Sequence, residues 1–242
     1  MENLIRPETK MIIITNGNNP TGAYMTESYL NELITIARKY DLYILCDEVY
    51  HSFSSTRFLA VADYYDKGIS TNSMSKTFSL PGIRVGWLLS SSEICRQLQT
   101  YRDYTMISAG VISDQLATLA LQAAAQILDR NQHIIEKNLA ILDQWVSQEE
   151  KVSYIKPNQV SIAFVKLNIQ EDIQTFANDL LAEYGTLVVP GTCFGQEGYI
   201  RIGYGCSTEC LEAGLLALSQ KLKNIQYYID FSIIIQYNKD YH

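Results

Sequence analysis

The stretch from Met11 to Asp47 constrains the fold more than any other part of the chain. Met11-Ile12-Ile13-Ile14-Thr15 is a short apolar run closed by a cluster of asparagine, glycine and proline, the pattern of a buried strand. Thr26 and Glu27 then open a helix-period series through Leu30, Leu33, Ile34 and Ala37. Arg38-Lys39 stands near its end, where cations suit the helix dipole. Leu42-Tyr43-Ile44-Leu45-Cys46 is the next strand, and it delivers Asp47 at its carboxyl end. Strand, helix and strand in this order predict neighbouring parallel strands and an α/β sheet. In such sheets ligands collect beyond the carboxyl ends of the strands.

The pattern continues. Gly68-Ile69-Ser70-Thr71-Asn72 is a further β-type run, and Ile83 to Leu89 follows it closely. Helices are expected from Ser92 to about Tyr104 and from Ser113 to about Ala125. A long amphipathic helix is expected over Asn131 to Gln148, with Ile134, Ile135, Leu139, Leu142 and Trp145 as a core-facing stripe. Beyond Lys151 the register changes. Val152 to Ile155, Val160 to Leu167 and Tyr199 to Gly203 read as strands, with helices at Ile173 to Tyr184 and Thr208 to Leu222. That α+β order predicts a smaller second domain. The expected division is 1–150, 151–223 and an atypical tail at 224–242. The tail is aromatic, β-prone and weakly charged. It reads either as a translated frameshift or as an added edge strand.

A chain of 242 residues can bury a sizeable core. Its formal charge of −7 argues against a nucleic-acid binder, which would show a basic patch. No charged-then-apolar signal opens the sequence and no apolar run approaches a membrane span, so the cytoplasm is the expected location. Five scattered cysteines fit a reducing compartment better than a disulfide framework. Cys206 and Cys210 are spaced to share one helical face. None of the three histidines stands at ligand spacing to them, so packing or surface thiols are expected there and no metal.

Ser73-Met74-Ser75-Lys76, with Arg84 shortly after, carries the most chemical information. The lysine sits between small residues at a strand end, where it can be held rigid beside a bulky ligand. Two hydroxyls and a planar guanidinium suit an oxyanion such as phosphate. An amine able to form a Schiff base beside a phosphate anchor is the chemistry of pyridoxal phosphate.

Four segments in order then resemble one family. They are Asn18-Asn19-Pro20-Thr21-Gly22, Cys46-Asp47-Glu48-Val49-Tyr50, Ser73-Met74-Ser75-Lys76 running into Pro81-Gly82-Ile83-Arg84-Val85-Gly86-Trp87, and Tyr199-Ile200-Arg201-Ile202-Gly203. Together they resemble the fold-type I, aspartate-aminotransferase-like pyridoxal-phosphate enzymes over residues 10 to 222. Chance matches seldom fall in the right order. The resemblance implies a partial large domain with a mostly parallel sheet and a smaller C-terminal α+β domain. It implies Lys76 as the Schiff-base lysine and general base, roles that both require a neutral amine. By the same resemblance Asp47 pairs with the pyridine nitrogen, while Tyr50 and Asn19 bond the phenolic oxygen. Ser73, Ser75 and Arg84 hold the phosphate, Ser75 being also small enough simply to pack beside Lys76. Arg201, with Asn19, takes the substrate carboxylate; a surface arginine or structural ion pair is the plain alternative. Gly17 stands where the family often has proline.

Family members carry a long segment ahead of the Asn-Pro-Thr-Gly turn, so this chain looks like such an enzyme lacking its N-terminal third. The implied function is transamination between an α-amino acid and a 2-oxo acid. The rivals are a β-eliminating lyase on the same scaffold and an inactive fragment. The implied partners are a second copy of the chain or a chain supplying the absent part.

Overall fold

The computed structural model describes residues 1–50, 59–158 and 160–225. The expectations placed on the tail beyond Ile225 lie outside the described residues. The chain divides into two compact units: Met1–Lys137 with Pro157–Ile162, and Asn138–Lys156 with the residues from Ala163 onward.

The first unit holds β1 (Met11–Thr15), α1 (Glu27–Lys39), β2 (Tyr43–Asp47), α2 (Val61–Tyr64), β3 (Gly68–Ser73), β4 (Gly86–Leu89), α3 (Ser92–Arg102) and α4 (Val111–Gln122). It also holds the first half of α5 (Ala124–Gln148). The sheet order is β1-β2-β3-β4, the first three strands parallel and β4 antiparallel. The register sets Thr15 beside Asp47 and Asp47 beside Thr71, so β1 and β2 end at one level and β3 runs two residues further to Ser73. Alternation decides what each face does. Ile12, Ile14, Ile44 and Cys46 pack with Leu30, Leu33, Ile34 and Ala37 of α1 in one apolar cluster. On the other face Ile13 is 71% exposed, and the register carries exposed Leu88 of β4 to the same side.

Local chemistry sets the ends of α1. The Thr26 side chain accepts the Tyr29 N–H at the start, and Arg38 and Lys39 occupy the last turn. The run from Ile83 to Leu89, expected as one strand, becomes strand only at Gly86. Pro81–Ile83 forms a 3₁₀ turn and Arg84 takes the left-handed conformation at φ 56°, which breaks the extended path. Among the described residues no single helix is long and apolar enough to cross a membrane; α4 and α5 pass such a test only as a pair bent by 77°.

The second unit contains β5 (Val152–Tyr154), the body of β6 (Ile162–Leu167), α6 (Ile173–Tyr184), β7 (Val189–Pro190), β8 (Tyr199–Gly203) and α7 (Thr208–Lys223). Its sheet order is β5-β6-β8-β7. Phe176, Leu180, Ile200, Leu215 and Leu218 are buried in it. Asp172 caps α6 by accepting the Thr175 N–H, and Gly185 ends that helix at φ 66°. The buried Lys151 ammonium donates to the carbonyls of Leu222, at 2.7 Å, and Ile225, satisfying the last turn of α7.

The division falls inside α5, between Lys137 and Asn138, and Pro157–Ile162 returns to the first unit. The expectation had put the change near residue 150. An uninterrupted helical stripe carries no mark of such a boundary, and the return rests on Val160 and Ile162 packing with Tyr50.

Asn138 is fully buried in the second unit. Its amide donates to the carbonyls of Tyr204 and Cys206, both at 2.9 Å, and its oxygen accepts the Thr208 hydroxyl at 3.0 Å. Asn138→Ala would strand buried carbonyls and should lower stability by about 2–3 kcal/mol. Chemical denaturation checks this; a loss below about 0.5 kcal/mol, the scale of an ordinary surface substitution, would contradict it.

Candidate functional site

The site grows from three successive strand ends in the first unit. After β1 the buried Asn16 donates its N–H to the Asp47 carbonyl at 2.9 Å and accepts the Met25 N–H at 2.8 Å. Asn18 organises the next turn. Its amide donates to the Thr15 hydroxyl at 2.7 Å, and its side-chain oxygen accepts the Thr21 hydroxyl at 2.8 Å. The Asn19–Pro20 peptide is cis, and Asn19 is exposed in this turn. A Cβ on Gly17 would come within 2.6 Å of the Tyr50 carbonyl oxygen, so only glycine lets the turn approach Tyr50 so closely.

Asp47 closes β2, and its carboxylate accepts the Val49 N–H at 3.0 Å. Beyond β3, the Ser73 hydroxyl accepts the Ser75 N–H at 3.2 Å. The Lys76 ammonium is 5.5 Å from the centre of the Tyr50 ring, within cation–π range. Lys76 is exposed, but the residues around it are fixed. Met74 is fully buried, donating its N–H to Val85 and accepting that of Leu80. Thr77 is buried and bonded at both ends. Its hydroxyl donates to the Val49 carbonyl at 3.2 Å, and its carbonyl accepts the Asn131 amide at 2.8 Å. A continuous line of hydrogen bonds therefore runs from the Asp47 carboxylate through Val49 and Thr77 to Asn131 of α5. Lys76 is the residue just before its middle link.

Arg84 lies opposite Ser75, because the Met74–Val85 bond extends the β3–β4 ladder. Its guanidinium donates to the Pro81 carbonyl at 2.8 Å, and among the described residues it makes no hydrogen bond to the Ser73 or Ser75 hydroxyl. Its left-handed backbone is strained for a residue with a Cβ, and such strain is found where a side chain must be aimed. Arg201 belongs to the second unit. It lies on β8, paired with Val189, and its guanidinium is 5.4 Å from the centre of the Phe194 ring.

Thr77, Asn131 and Glu48 are assigned no role in the site by the sequence reading. Glu48 points away from Asp47 and is 2% exposed, accepting the Val61 N–H at 3.0 Å and the Ser70 hydroxyl at 2.8 Å. Burial raises its carboxyl from an ordinary 4.5 to about 7. Asn131 had a readable signal, since an asparagine falls in line with the buried Ile135, Asn138 and Leu142 of a core-facing stripe. A polar residue at a core position must have a partner.

The chain belongs to the aminotransferase class I and II family, whose model matches residues 1–218. Members of this family use pyridoxal phosphate. A solved PLP-dependent aminotransferase from Streptococcus suis is 52% identical, with a TM-score of 0.91, over 93% of this chain and 60% of its own. Among curated proteins, aromatic-amino-acid aminotransferase 2 of Thermococcus litoralis is 29% identical over 92% of this chain and 60% of its own length. Capreomycidine synthase of Streptomyces vinaceus is 27% identical over 90% and 57%. The chain thus spans less than two thirds of the length of these relatives. The residues present fit the cofactor. A carboxylate, an amine, a phenol and two hydroxyls stand at neighbouring strand ends, with an arginine held at a strained position beside them.

Two predictions follow from the burial and bonding of this unit. Thr77→Val leaves the Val49 carbonyl without its donor and should cost about 1–2 kcal/mol while speeding amide exchange around Met74 and Leu80. Thr77→Ser keeps the bond and should preserve both; equal behaviour of the two variants in exchange mass spectrometry would count against the clamp. For Glu48, folding favours the protonated form. Its contribution is complete below about pH 4.5 and is lost as pH rises through about 7, a span worth about 3 kcal/mol. Glu48→Gln escapes that loss. Its stability advantage over the parent should therefore grow between about pH 5 and pH 8 in paired urea titrations, and a pH-independent difference would contradict the assignment.

Proposed function

We propose that this protein is a pyridoxal-phosphate-dependent aminotransferase moving an amino group between an α-amino acid and a 2-oxo acid. The observation that supports the reading is the line from Asp47 through Thr77, which ties the Asp47 carboxylate to the backbone next to Lys76. Bound there, pyridoxal phosphate supplies an electron sink for the charge left when an amino acid loses its α-proton. Lys76 is the amine that holds the cofactor and, once displaced by substrate, moves the proton at the α-carbon. Asp47 keeps the ring nitrogen protonated by offering it a carboxylate. Tyr50 and Asn19 donate to the phenolic oxygen, and Ser73, Ser75 and Arg84 hold the phosphate. Arg201 takes the substrate carboxylate through its planar donor fork, which selects α-amino acids over simple amines.

The working form in this reading is a homodimer, in which a second copy or the rest of a full-length family fold covers what this chain leaves open. Tyr104, Met106, Ile107, Val111 and Ile112 form a run of large exposed side chains, each at least 60% accessible. Patches of that kind mark interfaces. The exposed face bearing Ile13 and Leu88, with β1 at the edge of the described sheet, supports the same reading. Free thiols fit the cytoplasm.

Product analysis tests the reaction. With cofactor, α-amino acids and a 2-oxo acid, amino groups should be transferred one for one, and Lys76→Ala should slow this by about a thousand-fold. Accumulation of pyruvate and ammonia without transfer would assign an eliminating lyase. Light scattering should give twice the 27.4 kDa chain mass; a monomer at working concentration would contradict the dimer.

A further inference from the structure

Cys206 and Cys210 stand apart from every residue assigned above. Cys206 precedes Ser207, the cap of α7, whose hydroxyl accepts the Cys210 N–H at 3.3 Å. That capping turn carries the chain from one cysteine to the other, and the Cys210 sulfur is close enough to act on the Cys206 thiol. Cys206 is half-buried and Cys210 exposed. Both line a cavity of about 460 Å³ within the second unit, together with Leu187, Val188, Ile202 and Leu215. The Cys206 backbone is anchored, because its carbonyl accepts the Asn138 amide at 2.9 Å. The other thiols lie on other elements: Cys46 on β2, Cys95 on α3, and Cys193 in the 3₁₀ turn at Gly191–Phe194.

We propose that Cys206 and Cys210 are a redox modification site, closing a reversible disulfide when the protein meets hydrogen peroxide. Their roles differ by position. Cys210 is open to solvent and meets the oxidant first. Burial, together with the neighbouring Cys210 sulfur, holds the Cys206 thiol above its ordinary range, so it keeps its proton. In the first step the Cys210 sulfur attacks one peroxide oxygen, the O–O bond breaks, and one water leaves as a sulfenic acid forms. In the second, the Cys206 sulfur attacks the Cys210 sulfur and expels hydroxide. That hydroxide takes the Cys206 proton and departs as a second water. Two thiols lose two electrons and two protons, and one peroxide becomes two waters. The bridge staples the start of α7 to the loop leaving β8, and thiol reductant reverses it.

The test needs neither cofactor nor substrate. Trypsin releases Ile202–Lys221, which contains both cysteines and no other. After peroxide treatment of the folded protein this peptide should be lighter by two hydrogens and recover its mass with dithiothreitol. Titratable thiols in denaturant should fall from five to three per chain. Cys206→Ser should abolish the bridge and leave Cys210 trapped by a sulfenic-acid reagent; Cys210→Ser should leave Cys206 reduced. Wild-type protein in which Cys210 is over-oxidised while Cys206 stays alkylatable would overturn the proposal. So would a bridge that joins either thiol to Cys46, Cys95 or Cys193.

Discussion

The backbone of Val49 is the point on which the site depends. Its N–H is given to the Asp47 carboxylate and its C=O takes the Thr77 hydroxyl, so one residue ties the end of β2 to the loop that follows β3. Parallel pairing alone brings strand ends to one level but does not orient what hangs beyond them. The added bonds do that, and Asn131 extends them into a helix more than fifty residues later in sequence. Met74, fully buried, seals the loop from beneath. Lys76 can therefore be exposed and still be placed. Its backbone is held on both sides while its amine lies against the Tyr50 ring.

Much of this framework is legible in the sequence because periodicity is local. β1, α6 and β8 take the residues that apolar alternation and helical spacing predict, and α1 begins after the threonine that caps it. What is not legible has a physical reason in each case. The Thr77–Asn131 bond joins residues whose proximity is decided by how α4 and α5 fold back, which no local pattern records. The late start of β4 follows from a left-handed arginine, a conformation that composition does not announce. Nothing in the sequence marks Glu48 as buried, yet Val61 and Ser70 hold it inward. The unit boundary is hidden because α5 serves both units with one continuous stripe.

The chain spans about 60% of the length of its relatives, and Ile13 and Leu88 lie exposed on the sheet face opposite α1. Asp47 and Lys76 stand at strand ends braced by the buried Thr77 and Asn131. Arg201 stands on a separate unit with its own core. The thiol pair at the start of α7 belongs to that second unit. It would register oxidation at the turn that follows the arginine strand, without touching the bonds that fix Lys76.

The central claim is that Asp47, Tyr50 and the braced Lys76 form one cofactor site. Borohydride reduction of the folded chain with pyridoxal phosphate, followed by peptide mass mapping, tests it most directly. The account predicts a pyridoxyl group on Lys76 at near-stoichiometric yield, with other lysines sparsely labelled, and a fall in that yield when Asp47 becomes Asn. Folded protein that carries no label at Lys76, or carries it evenly over exposed lysines, would contradict the account.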